Sequence, residues 1–77
     1  MIYSTPDSSN IAKFGWENGS LLIEFKRGGA CWSYADVDFS VYTSMTQASS
    51  VGSFFAKEIK PNFVGTLLTA NPFDVLA

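Results

Sequence analysis

Asn18-Gly19 is the strongest short-range hairpin signal in this sequence, and it organises nearly everything around it. Both residues tolerate the positive φ that a two-residue type I′ turn demands. Folding there sets Glu17 opposite Ser20, Trp16 opposite Leu21, Phe14 opposite Ile23 and Ala12 opposite Phe25. Each of the last three pairs places apolar groups on one face. Lys13, Gly15, Leu22, Glu24 and Lys26 fall on the other, which is mostly polar. Gly28-Gly29 offers a second two-residue turn, which sets Lys26 opposite Cys31, Phe25 opposite Trp32 and Ile23 opposite Tyr34. Trp32 and Tyr34 thereby join the apolar wall, while Cys31 and Ser33 look away from it. A slip of one residue at either turn would divide the wall between the two faces.

A three-stranded meander with one aromatic face needs a cover. Downstream, Val41, Tyr42, Met45 and Ala48 recur at helical spacing, with Asp38 or Ser40 as the N-cap. A second helical pattern runs through Val51, Phe54, Phe55 and Ile59, with Ser50 as its N-cap. Lys57 and Lys60 near its end suit the helix dipole, and Pro61 stops it. The expected fold is α+β: a three-stranded antiparallel meander, open to a fourth strand from a terminus, covered on one face by two short helices.

The 77 residues allow a single domain. A domain of that size buries only about 60–65% of its unfolded surface. Two Trp, three Tyr and seven Phe within a 47% hydrophobic composition supply the core and exclude intrinsic disorder. Histidine is absent, which removes His-based triads, imidazole bases and His-rich metal sites. A single cysteine excludes an internal disulfide. Five basic residues against seven acidic ones argue against broad binding of duplex DNA. Residues 1–10 lack the basic and apolar regions of a signal peptide, and no apolar run reaches the length of a membrane span. The expected location is the cytoplasm, where the free Cys31 thiol suits a reducing compartment.

Residues 64–77 carry one charge, Asp74, among Val64, Leu67, Leu68, Phe73, Val75 and Leu76. Three destinations are open to this tail: packing on its own domain, burial against a second subunit, or disorder. The second makes a homo-oligomer the expected partner.

Several of these segments resemble a KTSC domain. They are Ser8-Ser9-Asn10-Ile11, Phe14-Gly15-Trp16, Leu21-Leu22-Ile23-Glu24-Phe25, Gly28-Gly29, Trp32-Ser33-Tyr34, Val37, Val41-Tyr42, Ala48-Ser49-Ser50-Val51-Gly52, Phe54-Phe55 and Ile59. That module follows some lysyl-tRNA synthetases and also stands alone in bacteria and their phages. The resemblance spans residues 8–63 and leaves 64–77 as a tail. In the family the first aromatic of the central pair is usually tyrosine, where this chain has Trp32. The synthetase context implies RNA binding, although the family is generally of unknown function.

Two candidate ligand sites follow. As an RNA surface, Trp32 and Tyr34 would stack bases while Lys26 and Arg27 met phosphates. The ordinary alternative makes both aromatics core residues with polar tips that find partners. Ser49, Ser50 and Gly52, at the start of the second helix, have the makings of an anion site; the ordinary alternative is a cap with a small packing residue. Lys57 completes the candidate ligand-binding set. Catalysis has least support: Asp36 and Asp38 read as turn and capping residues, and nothing marks a base for Cys31. No catalytic residue, metal ligand or cofactor is assigned.

The expected function is therefore a small non-enzymatic module that holds a nucleotide, small ligand or protein partner. A phage protein that sequesters a nucleotide signal is one form this takes. The alternative is a KTSC-like RNA-binding accessory module for short single-stranded RNA.

Overall fold

A computed structural model describes residues 1–74. Five strands, β1 (Ile2–Ser4), β2 (Ile11–Glu17), β3 (Ser20–Phe25), β4 (Cys31–Tyr34) and β5 (Gly65–Leu67), form one antiparallel sheet in chain order. The meander is therefore extended at both ends, since β1 pairs with β2 and β5 with β4. Asn18 and Gly19 turn with φ of 51° and 81°, and Glu17–Ser20, Trp16–Leu21 and Phe14–Ile23 pair as the turn requires.

Two registers depart from expectation. Ala12 does not face Phe25; a bulge between Ile11 and Lys13 sets Ile11 opposite Phe25 instead, and Ile11 enters the core. At the second turn the pairing is Ile23–Trp32 and Leu21–Tyr34, shifted by two residues from the two-residue turn. The loop is longer because the Phe25 N–H closes it on the Ala30 carbonyl (2.8 Å), while the Lys26 N–H donates to Asn10 (2.9 Å). A shift of two keeps the alternation, so Trp32 and Tyr34 stay on the same face as Ile23 and Leu21.

Two helical segments cover that face. Helix α1 (Phe39–Thr46) is capped by Asp38, whose carboxylate accepts from the Ser40 N–H (3.0 Å) and hydroxyl (2.6 Å). Helix α2 (Val51–Phe54) is capped by Ser50, whose Oγ accepts from the Ser53 N–H (3.2 Å). It continues as a π-helical turn, Phe55–Ile59, in which the Lys60 N–H reaches back to the Phe55 carbonyl (3.0 Å). Phe14, Leu21, Ile23, Tyr34, Val37, Tyr42, Met45, Phe55 and Ile59 form the core between sheet and helices.

The other face is less polar than expected, because Leu22 and Cys31 are buried there. The tail covers it. Beyond β5, the Asn71 amide donates to Glu24 (3.0 Å) and Phe73, 2% exposed, meets the Tyr3 ring at 5.9 Å. Of the tail's three destinations, residues 65–74 take the first, packing on their own domain. Val75 and Leu76 lie outside the described residues. No helix among the described residues is long and apolar enough to cross a membrane.

Candidate functional site

The aromatic wall divides into two clusters with different chemistry. Under α1, Trp16 meets Phe39 at 5.1 Å and Phe14 meets Tyr42 at 5.4 Å. Both polar tips in this cluster are satisfied: the Trp16 indole N–H donates to the Val37 carbonyl (2.8 Å), and the Tyr42 hydroxyl pairs with Ser4 Oγ (2.9 Å). Phe14 and Tyr42 belong to the buried core and Trp16 packs against it, while Phe39 covers them from the exposed side.

The second cluster opens outward. Phe55, held by the π-helical turn, presents edge contacts to Phe25 (5.4 Å) and Tyr34 (5.5 Å). Beside them lies a groove of ≈ 590 Å³, also lined by Asn10, Trp32, Gly52, Ala56, Lys60, Phe63 and Gly65. That is within the size range of small-molecule sites, about 300–1,000 Å³. Burial pushes the Tyr34 phenol above its ordinary pKa, which favours the neutral, hydrogen-bond-donating form. Among the described residues, neither the Tyr34 hydroxyl nor the Trp32 indole N–H has a hydrogen-bond partner, yet neither is an orphaned buried atom.

Gly65 fixes the floor. A Cβ there would lie 2.6 Å from Tyr34 Cε2 and 3.2 Å from Trp32 Cε3. Only a glycine lets the β5 backbone lie against both rings. The electrostatics are equally particular. The chain has seven acidic residues, and none lines the groove; among the described residues Lys60 is its one charged lining residue.

The structure sorts the expected site residues into three groups. Trp32, Tyr34 and Gly52 meet in the groove. Ser49, Ser50 and Lys57 share a smaller depression of ≈ 270 Å³ with Glu58, an acidic neighbour unfavourable to an anion, and the Ser50 hydroxyl already caps α2. Lys26 and Arg27 are exposed on the β3–β4 loop and do not line the groove. Sequence reasoning missed Asn10, Ala56, Lys60, Phe63 and Gly65 as site residues. It placed Phe25 and Phe55 on the apolar pattern, and it read Lys60 as a helix-end charge.

Cys31 points away from the groove and is 4% exposed. Burial, then the charges of Glu24 and Asp74, raise its thiol pKa, which disfavours the nucleophilic thiolate. Among the described residues no group of three or more Cys, Asp or Glu could hold a metal ion.

A family model described as KTSC domain matches residues 7–63, which include every groove residue except Gly65. The fold is also similar to the crystal structure of a KTSC domain protein from Yersinia pestis. That match has a TM-score of 0.80 and 28% identity, and covers 87% of this chain and 96% of the other. No curated protein matches the sequence.

Proposed function

The chain belongs to the KTSC domain family, and we propose that this member is a non-enzymatic binding protein whose groove holds a nucleotide or a similarly flat small ligand. One observation carries the reading: the aromatic cluster under α1 satisfies its own polar tips, whereas Trp32 and Tyr34, which line an open groove, have no partner for theirs among the described residues. Aromatic faces with unspent donors suit a planar heterocycle, which stacks on the rings and accepts at its edge. Among the described residues the lining offers no carboxylate, thiol or imidazole, which favours retention of the ligand over its conversion. Sequestration of a nucleotide signal in the cytoplasm would be one use of such a site.

Isothermal titration with nucleosides and mono-, di- and cyclic nucleotides tests this. Binding by wild type and a loss of about tenfold or more in Trp32→Ala are expected, since stacking is worth about 1–3 kcal/mol per base. No heat from any compound overturns it. The RNA-binding alternative has less support, because Lys26 and Arg27 stand apart from the groove and leave no basic track along it. Short single-stranded RNA belongs in the same titration, and tight binding that collapses with added salt would favour that alternative.

A homo-oligomer through the tail would use Val64 and, on the edge strand β5, Leu67, which are 80% and 58% exposed. Light scattering then gives a mass above 8.4 kDa that falls in Val64→Asp. A wild-type mass of one chain excludes this partner.

A further inference from the structure

The charge on the groove narrows the ligand class further. On a chain of net charge −2, seven carboxylates have to be placed somewhere, and the neighbouring depressions receive several of them. Glu58 borders the two depressions beside the helices, and Asp36 and Asp38 border the one under the first hairpin. The aromatic groove receives none of the seven and, among the described residues, has Lys60 alone. Lys60 follows the π-helical turn, and its backbone N–H is committed to Phe55, which fixes where its side chain leaves the helix. It is exposed, forms no ion pair among the described residues, and closes the groove's lining on the helix side.

Resting on the groove reading above, we propose that the ligand is a nucleotide with one phosphate group, its ring stacked against Trp32 and its phosphate received by Lys60. A single ammonium matches a single phosphate group, including a cyclic monophosphate, which carries one negative charge. A triphosphate would bring several charges to a lining that offers one cation and no metal-ligating carboxylate. A polynucleotide would need a run of cations, and the other basic residues do not line the groove. Lysine suits this role because it meets a phosphate as a point charge without a fixed approach.

The test is a titration of adenosine, guanosine, cytidine and uridine, their 5′-monophosphates and 3′,5′-cyclic monophosphates, and the triphosphates without magnesium. The proteins are wild type, Lys60→Gln and, as a control, Lys26→Gln. In wild type at least one monophosphate is expected to bind about tenfold tighter than its nucleoside, and no weaker than its triphosphate. Lys60→Gln is expected to bring that monophosphate down to its nucleoside and leave the nucleoside unchanged, with Lys26→Gln behaving as wild type. Equal binding of nucleoside and monophosphate by wild type overturns the phosphate assignment while leaving the groove reading intact. So does a Lys60→Gln loss shared equally by both. Failure of every compound to bind overturns the groove reading and this inference together.

Discussion

Gly65 and Trp16 show how single atoms decide stability here. At Gly65 a methyl group would fall within 3 Å of the Tyr34 ring, which Phe55 holds from the helix side. Gly65→Ala is therefore expected to cost about 1–3 kcal/mol in urea unfolding, the usual range for overpacking, and to weaken the ligand binding proposed for the groove. Trp16 and Trp32 separate by their indole nitrogens. Trp16→Phe strands the Val37 carbonyl and is expected to cost about 1 kcal/mol. Trp32→Phe breaks no hydrogen bond within the described chain, so its stability loss should be smaller, and its effect should appear in the ligand titration. Equal stability losses for the two would contradict this division of the wall.

Among the elements, the helix starts carry separable contributions. Ser50→Ala removes the cap of α2 and should destabilise by about 1 kcal/mol, whereas Ser49→Ala, which caps nothing, should leave stability unchanged. Asp38 caps α1 in a pH-dependent way. The Ser40 hydroxyl, then the Ser40 N–H, bond its carboxylate and hold its pKa below the ordinary aspartate value. A depressed folded pKa gives stabilisation that is present above the unfolded value, about 3.9, and lost as pH falls through the folded one. The melting temperatures of wild type and Asp38→Ala should therefore differ at neutral pH and converge in acid. A gap independent of pH would show that the carboxylate's charge is irrelevant to the cap.

The molecule as a whole is a sheet covered twice, by helices on one face and by its own tail on the other. Phe73 is the tail's anchor, and removing its ring should cost about 3–5 kcal/mol, much of the 5–15 kcal/mol of a typical domain. Cys31 reports on that cover. Its thiol pKa is raised by burial, so the folded state holds the proton more tightly, and this contribution is present below the unfolded thiol value, about 8.5, and lost as pH rises. Native wild type should alkylate slowly at pH 8 and Phe73→Ala faster, both reaching one rate in urea. Equal native rates would mean that the tail does not shield the thiol.

Local chemistry determined the turn at Asn18-Gly19, the cap at Ser50, the stop at Pro61 and the shared face of Phe14, Leu21, Ile23, Trp32 and Tyr34, and it narrowed the other cap to Asp38 or Ser40. Each rests on neighbours in the chain or on the two-residue period of a strand, which survives any even shift. The sequence also marked the tail as apolar, but apolarity says that a segment is buried and not what buries it. The bulge at Ala12, the longer β3–β4 loop, the edge strands β1 and β5 and the destination of Phe73 were settled only in three dimensions. They depend on bonds such as Lys26 to Asn10 and Asn71 to Glu24, between residues far apart in the chain. The groove belongs to that second class. It is the space between a π-helical turn and a strand lying against Tyr34, and it exists only once Gly65 has been brought beside that ring.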